Sequence, residues 1–524
     1  MKKWFCLLLA LIMVLSLCAC SKATQEEGEK QDIWEKQDNI ERYFLYAEDN
    51  KLYRLDAEKN KSDEVMLDIP VRSVSEAIVC DDNDAMIAKI TNEDTGLSGL
   101  LYLKDGSNQA TYLGDNTELV RMSKDGKVVF YIEIGTEQKD LYRHDAAKKL
   151  SEKIEENVLS VSVSEDGKRG FVTSNAEAYA TSYTLSYFED GEGLQKIADE
   201  VNWANVSQDC SSVAYLKPDE EDPGSSIDAT AYLWSSSGLA GKTKKKLPFT
   251  ATEIVMFDEK NIYYVEAGMD AAAHYYYDGS DSHRLTTDGS YHGHKLGNYM
   301  YYYRAREEEA FVGYLVYQGK KMKTNIFACY MTGCIAFVER NSRDIYGWDD
   351  DANMYRVELN EKGKMAETPL TQNITKGYSP RLMEFYGGSL AYRDGEMLYL
   401  NGEKLAEEHE SYKLSCRGDV LVYKQGDKLF LWEGGRTTAF AGNENVEVFY
   451  HAKDGKVVSW QEGYGVTVQC ESMGQTKKES FGSSVSQLAQ VFTWSSTKLG
   501  NIPMCCEVTG AWFQRECGSL VWRR

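Results

Sequence analysis

Four of the seven histidines fall in one short stretch, and they are the side chains best suited by type to bind a metal ion. His274, His283, His292 and His294 all lie within residues 274–294. In an extended chain, side chains two positions apart point to the same face, so His292 and His294 have a spacing that zinc or copper could use. The sequence offers no third ligand, and isolated histidines are common in polar hairpins. We predict no metal site.

Two other motifs that could bind a cofactor are incomplete. Gly241-Lys242-Thr243 has the end of a phosphate-binding loop, but Ser236 stands where the first glycine is required. Asp349, Asp351 and Asn353 have calcium-loop spacing, but Met354 and Asn360 replace the essential glycine and glutamate. No Gly-x-Ser-x-Gly elbow occurs, and among 82 acidic residues carboxylate pairs are unavoidable. We therefore predict no cofactor and no catalytic residue.

The N-terminus carries the one motif that predicts a modification. Lys2 and Lys3 precede an apolar run from Trp4 to Leu17, a pattern typical of a secretory signal. Leu17-Cys18-Ala19-Cys20 resembles the lipobox of bacterial lipoproteins. That resemblance implies cleavage before Cys20 and diacylation of its thiol, and two acyl chains suffice for stable anchoring. An ordinary cleaved signal and an uncleaved anchor are the alternatives.

From these residues we predict a signal peptide over 1–19 and a polar, flexible tether over 20–41. The lipid bilayer is then the first partner, through acylated Cys20, and the protein is expected on the extracytoplasmic face of the cell membrane. The net charge is −23, from 59 basic and 82 acidic residues. Nucleic acid is excluded as a partner because its phosphates require a basic surface.

A repeated turn phrase indicates how the rest of the chain is organised. The phrase is centred on Asp82, Asp125, Asp166 and Asp209, at intervals of 43, 41 and 43 residues. Asp-Gly is a strong hairpin signal, which predicts type I′ turns, and the flanking β-branched and aromatic residues favour strands. No helical periodicity is sustained after residue 41. We predict an all-β fold.

A period of forty-odd residues built from short strands is typical of β-propeller blades. Ser-x-Asp-Gly-Lys followed by an apolar strand, at Ser123–Lys127 and Ser164–Lys168, resembles the repeat of TolB-like (WD-repeat-like) β-propellers. We predict a propeller over 42–470, most simply one ring of seven or eight four-stranded blades. The early period gives about ten units, so two smaller propellers are the alternative.

The C-terminal residues differ from the repeats before them. Residues 471–524 contain no tyrosine and no aspartate, and we interpret them as an irregular closing blade or as an atypical tail from a shifted reading frame. Nine cysteines are left once Cys6, Cys18 and Cys20 are set aside, an odd number that cannot pair completely. Cys329 and Cys334 are close in sequence, and we interpret them as small buried residues rather than a disulfide. Tyrosine runs at 275–277 and 301–303 are expected to pack between blades.

Two functions are compatible with this sequence. The first is a membrane-anchored lipoprotein whose propeller is a non-catalytic binding or scaffolding module for a protein or glycan of the cell envelope. The second is an envelope hydrolase acting on carbohydrate or peptide in the propeller channel. Convergent, partly buried carboxylates would favour hydrolysis, whereas dispersed solvated charge would favour binding.

Overall fold

The computed structural model describes residues 43–520 with gaps between strands, of which the longest are 219–228, 342–350, 481–488 and 494–514. All the secondary-structure elements of the described residues are β-strands. The described part of the chain contains no helix of the length and apolarity needed to cross a membrane. The predicted all-β fold is confirmed.

The N-terminal half forms the first strands in chain order. Their bounds are β1 (Tyr43–Glu48), β2 (Lys51–Asp56), β3 (Lys61–Val65), β4 (Val71–Val79), β5 (Ala85–Asn92), β6 (Ser98–Lys104), β7 (Ala110–Asp115), β8 (Thr117–Met122), β9 (Val128–Ile134), β10 (Lys139–Asp145), β11 (Leu150–Glu155), β12 (Val158–Val163), β13 (Arg169–Ser174), β14 (Tyr183–Glu189), β15 (Gln195–Val201), β16 (Trp203–Val206), β17 (Ser212–Lys217), β18 (Ala229–Ser235), β19 (Thr243–Ala251), β20 (Glu253–Asp258), β21 (Asn261–Glu266), β22 (Ala273–Tyr277) and β23 (Ser282–Arg284).

The C-terminal half continues the same alternation of short strands. Their bounds are β24 (His292–Leu296), β25 (Tyr299–Arg304), β26 (Val312–Tyr317), β27 (Lys320–Thr324), β28 (Ala328–Thr332), β29 (Ile335–Asn341), β30 (Asp351–Leu359), β31 (Met365–Thr375), β32 (Met383–Tyr386), β33 (Ser389–Asp394), β34 (Met397–Leu400), β35 (Glu403–Ala406), β36 (His409–Leu414), β37 (Val420–Gln425), β38 (Lys428–Glu433), β39 (Arg436–Phe440), β40 (Val446–Ala452), β41 (Gly455–Glu462), β42 (Gly465–Ser472), β43 (Gln475–Ser480), β44 (Ala489–Thr493), β45 (Arg515–Glu516) and β46 (Ser519–Leu520).

Consecutive strands pair into repeated antiparallel sheets. From β8 to β43, every four strands in succession form one four-stranded sheet, which gives nine such sheets among the described residues. The remaining large sheet has eight strands in the order β3-β2-β1-β44-β4-β5-β6-β7. This repetition is the β-propeller fold predicted from the sequence. The number of blades in a ring, and the division of the chain at residues 42 and 470, stay predictions.

Apolar side chains fill the spaces between successive sheets, because a single four-stranded sheet cannot bury both of its faces. One such layer joins Phe130 and Leu141 of the sheet β8–β11 to Val161, Val172 and Phe188 of the sheet β12–β15. Phe130 and Phe188 stack with their ring centroids 5.2 Å apart. Among the described residues, similar apolar layers join the sheets β4–β7 and β8–β11, β12–β15 and β16–β19, and β16–β19 and β20–β23.

Tyrosines form a ladder that recurs from sheet to sheet. In five sheets an aromatic residue on the second strand is stacked on its cross-strand partner on the third, and such pairs add about 0.5–1.5 kcal/mol beyond area burial. The pairs are Tyr131–Tyr142, Tyr215–Tyr232, Tyr264–Tyr275, Tyr392–Tyr399 and Tyr423–Phe430, with centroids 5.1–5.4 Å apart. The second-strand residue is buried and the third-strand residue is half-buried in each pair. Stacking within the sheet thus gives nine of the 35 tyrosines a packing role.

The same ladder identifies which strand completes the N-terminal sheet. Tyr46 of β1 stacks on Tyr53 of β2 at 5.3 Å, so β1 and β2 correspond to second and third strands. The missing first strand is β44, which pairs antiparallel with β1 through Leu45 and Ala489. It also pairs in parallel with β4 at Ala77 and Val491. A strand from the predicted C-terminal segment therefore completes the sheet that begins the chain.

Candidate binding cleft

The Ser-x-Asp phrase builds the turn between the first and second strands of several sheets. In the turn 123–128, the Ser123 hydroxyl donates to Asp125 Oδ1 (2.8 Å) and accepts from the Val128 amide (3.0 Å). The Lys127 amide also donates to Asp125 Oδ1 (3.1 Å). The turns 164–169 and 207–212 repeat these bonds through Ser164–Asp166 and Ser207–Asp209. The predicted equivalence of the three aspartates is confirmed at the level of individual hydrogen bonds.

The turn type differs from the type I′ geometry that Asp-Gly predicts. Gly126 and Gly167 have positive φ (68° and 69°), but Asp125 and Asp166 do not. Each hairpin instead contains a β-turn closed by a bond from the glycine amide to the serine carbonyl, inside a longer loop. The serine hydroxyl bonds both to the aspartate and to the next strand, and it thereby favours this longer connection over a two-residue turn.

Hydrogen bonding keeps these aspartates ionised. Burial acts to raise the pKa of Asp125, Asp166 and Asp209, but bonds from the turn serines, the backbone amides and nearby cations outweigh it. The pKa of each carboxyl therefore lies below its ordinary value. A carboxylate held in this way is a good hydrogen-bond acceptor and a poor proton donor at neutral pH.

Adjacent turns pack on one another in a row, which we call the turn row: Cys80 and Ala85, on either side of residues 81–84, and the turns 123–128, 164–169 and 207–212, whereas Asp82 lies outside the described residues. A Cβ added to Gly126 would lie 2.6 Å from the Ala85 Cβ and 2.9 Å from Cys80 Sγ. One added to Gly167 would lie 3.0 Å from the Ser123 Cβ. Each glycine therefore allows its turn to lie directly against the preceding turn.

Polar bonds reinforce these contacts. The Lys124 amide donates to the Glu165 carbonyl (2.8 Å), and the Arg121 guanidinium lies 3.5 Å from the Glu165 carboxylate. In the next junction, Arg169 Nε donates to the Asp209 carbonyl at 3.0 Å. The turn row is thus closed at each of these junctions.

Two buried cysteines occupy positions within the turn row. Cys80 takes the place of the turn serine, and its sulfur accepts from the Ala85 amide at 3.3 Å. Cys210 takes the place of the glycine, with φ of 53°, and burial raises the pKa of its thiol to about 12. Both are buried free thiols, as expected for cysteines that act as small core residues. The pair Cys329 and Cys334 lies outside the residues whose side chains are described.

The row opens between the turn 207–212 and the turn 257–260, where a cleft of about 420 Å³ separates them. The first strands remain tied beneath it: Trp203 Nε1 donates to the Ile254 carbonyl (2.8 Å), and the Met256 amide donates to Asn205 Oδ1 (2.8 Å). The two first strands that lead into the cleft are therefore held together by hydrogen bonds. Its outer wall contains the half-buried Phe257 ring and the exposed Asp258 and Lys260.

The carboxylates of the cleft are placed by the turns themselves. Asp209 Oδ1 accepts from the hydroxyls of Ser207 and Ser211, and Glu259 accepts from the buried Ser235 hydroxyl across the junction. Asp258 accepts from the Lys260 amide at 2.8 Å. This set can accept hydrogen bonds from ligand hydroxyl or amino groups, while the Phe257 ring offers an apolar face and Lys260 a donor.

The four histidines that the sequence places within residues 274–294 do not share one environment. His274 is buried and packs edge-on against Tyr302 with centroids 4.8 Å apart, whereas the exposed His283 is bonded to Asp278 at 3.0 Å. The side chains of His292 and His294 are not described. Within the described ranges, no three histidine, cysteine or acidic residues are grouped so as to hold a metal ion. Cys20, the predicted lipidation site, lies outside the described residues.

Sequence reasoning identified the turns but missed the cleft. Residues 257–267 have a recognisable strand-turn-strand pattern, so the hairpin was predictable. Nothing in that pattern indicates that its turn stands away from Asp209, since the two segments are some fifty residues apart. The absence of glycine from residues 257–261 is no signal either, because the closed turn 207–212 also lacks glycine.

Comparison with known proteins gives structural similarity alone. No family model and no curated protein matches the chain. The chain is similar to the β-propeller domain of the trilobed protease from Pyrococcus furiosus, at 13% identity and a TM-score of 0.34, over 57% of this chain and 96% of that one. It is also similar to a eukaryotic initiation factor, at 10% identity and a TM-score of 0.39, over 86% and 98%. For TolB from Acinetobacter baumannii the identity is 11% and the TM-score 0.24, over 45% and 60%. Because these scores lie below 0.5, the fold assignment depends on the chain's own repeated sheets.

Proposed function

We propose that this protein is a lipid-anchored, extracytoplasmic binding module that holds a glycan or protein of the cell envelope without catalysis. The observation that carries the binding role is the cleft between the turns 207–212 and 257–260. It combines fixed hydrogen-bond acceptors with an aromatic ring, as a carbohydrate site requires, and the two strands that lead into it are held together by hydrogen bonds.

The same residues argue against the hydrolase alternative at this cleft. Glycoside hydrolysis needs one carboxyl with a raised pKa to protonate the leaving group. The pKa of Asp209 is lowered, because its hydrogen bonds from Ser207 and Ser211 and the nearby Arg169 outweigh burial, which acts to raise it. Asp209 therefore remains ionised and suits ligand binding better than proton donation.

Binding is tested with full-length protein and an isolated envelope glycan preparation. We expect retention of the protein on the glycan and no soluble product by mass spectrometry. The double variant Phe257→Ala/Lys260→Ala should weaken retention at least about tenfold, since an aromatic contact and a polar donor are both lost. Lys127→Ala, an exposed lysine in a closed turn, is the matched control. Release of oligosaccharide or peptide product, lost in the cleft variant, would establish the hydrolase instead.

Anchoring is tested separately through the two cysteines at the predicted cleavage site. Cys20→Ser should abolish incorporation of labelled fatty acid and move the protein out of the membrane fraction. Cys18→Ser, two residues earlier, should leave both unchanged. Equal labelling of the Cys20→Ser and wild-type chains would rule out this anchor.

A further inference from the structure

The outer edges of three consecutive sheets carry an unusual concentration of positive charge. Strands β19, β23 and β27 together contain seven lysine or arginine residues and no aspartate or glutamate. The outer strands of the two preceding sheets differ, since β11 and β15 mix lysine with acidic residues. The chain has a net charge of −23, so these three basic strands differ from the rest of the molecule. We call the surface formed by β19, β23 and β27 the basic rim.

Contacts between sheets place the three strands side by side. Lys245 of β19 donates to the Tyr277 hydroxyl of the next sheet at 3.2 Å. Lys321 of β27 donates to the Leu285 carbonyl, directly after β23, at 2.8 Å. These contacts join the three strands into one surface, and the half-buried Asp278 and the exposed Asp281 lie in the hairpin that precedes β23.

Several lysines of the basic rim are exposed, although Lys244 lies over the rings of Tyr215 and Tyr232, and Lys245 and Lys321 donate to neutral oxygens. Lys244, Lys246 and Lys320 are exposed, and none of them forms an ion pair with any carboxylate of the described residues. Beneath them the strand β19 is held by the buried Leu247 and Phe249. Lysine on edge strands also discourages edge-to-edge aggregation, but that role does not require every acidic residue to be missing from three neighbouring edges.

We infer that the basic rim binds the anionic phospholipid surface of the membrane to which Cys20 is proposed to be anchored. This inference rests on the proposed lipid anchor. Basic residues held near an anionic bilayer are attracted to its headgroups, and a cluster of several adds their contributions. The cations are mostly lysines on a strand surface, point charges that suit a diffuse layer of headgroups better than a single bidentate phosphate. The rim would orient an otherwise acidic domain that the bilayer repels.

The test uses the chain from residue 20 with Cys20→Ser, so that neither acyl chains nor the apolar run Trp4–Leu17 can contribute, and vesicles of phosphatidylcholine with or without 30% phosphatidylglycerol. We expect salt-sensitive co-sedimentation with the anionic vesicles alone. Lys246→Glu/Lys320→Glu should lower the partition coefficient about 30-fold or more, since each lysine near such a surface contributes substantially. Lys104→Glu/Lys124→Glu, two exposed lysines elsewhere with the same charge change, is the matched control. Circular dichroism checks the fold of each variant.

Three results would overturn the inference: equal binding to neutral vesicles, an equal loss in the control variant, or equally tight binding of soluble polyphosphate. The anchor is judged independently by fatty-acid labelling of the wild-type chain. Vesicle binding that depends on the basic rim, without fatty-acid labelling, would support the lipid-binding role of the rim and contradict the proposed anchor. Fatty-acid labelling without such binding would support the anchor and contradict the lipid-binding role of the rim.

Discussion

In the four successive sheets from β4–β7 to β16–β19, the turn between the first and second strands lies directly against the corresponding turn of the next sheet. Between the sheets β16–β19 and β20–β23 the corresponding turns are separated by the cleft. Two of the closed junctions depend on a glycine at positive φ, Gly126 or Gly167, where even one added carbon would meet the preceding turn, and in the third turn Cys210 adopts a positive φ at the same place. In the open junction no residue from 257 to 261 has a positive φ, and the turn presents Phe257, Asp258 and Lys260. The difference shows that a propeller repeat can keep its strand pairing and still create a cleft, by changing the residues of one turn.

The variant expected to lose the most stability, and so the strongest test of this comparison, is Gly126→Ala. The new Cβ would combine a positive φ with contacts of 2.6 and 2.9 Å to buried atoms, so we expect a loss of about 3 kcal/mol in the free energy of unfolding. Gly96→Ala is the control, because Gly96 has the same φ of 68° and no atom within 4 Å of its added Cβ. It should cost about 1 kcal/mol, from backbone strain alone. Equal urea midpoints for the two variants would contradict close packing of the turn row.

A smaller loss is expected from Ser164→Ala. The buried Ser164 hydroxyl donates to Asp166 (2.6 Å) and accepts from the Arg169 amide (3.2 Å), and removing it leaves that amide unpaired. We expect a loss of about 1–2 kcal/mol by urea denaturation. Ser164→Cys should recover part of this, since Cys80 fills the equivalent position naturally. A cysteine variant no more stable than the alanine variant would argue against the equivalence.

Next in size is the pH dependence of Asp166→Asn. The pKa of Asp166 is lowered in the folded protein, because bonds from Ser164 and Lys168 and nearby cations outweigh burial, which would raise it. Its ionised form therefore stabilises the fold above the ordinary aspartate pKa, and that stabilisation is lost as the pH falls through the folded pKa. Because the carboxylate is exposed, we expect a loss of less than about 1 kcal/mol at pH 7. The difference from wild type should vanish at low pH, and a difference independent of pH would assign the effect to geometry.

The sequence was informative wherever structure is local. Strand residues such as Val128 and Val129, and turns such as Ser164–Asp166, follow from short-range propensity and hydrogen bonding, so the hairpins and the all-β fold were predictable. The stacking of Tyr131 on Tyr142 depends on cross-strand register, which the tyrosine spacing does not specify. The cleft depends on the distance between turns of two different sheets. The basic rim was also missed, because its strands are adjacent only after folding.

The smallest predicted effect concerns Cys80, the one turn residue in which sulfur replaces a hydroxyl. Its Sγ accepts from the Ala85 amide at 3.3 Å and also fills the space above Gly126. Cys80→Ser would form a stronger hydrogen bond but lose buried volume, so the two effects nearly cancel and the change should stay within about 0.5 kcal/mol. Cys80→Ala loses both, and should cost about 1–2 kcal/mol in the same urea titration. If Cys80→Ser lost as much stability as Cys80→Ala, the sulfur would stabilise the turn only by packing. Cys80 would then not be equivalent to the hydrogen-bonded Ser123 of the next turn.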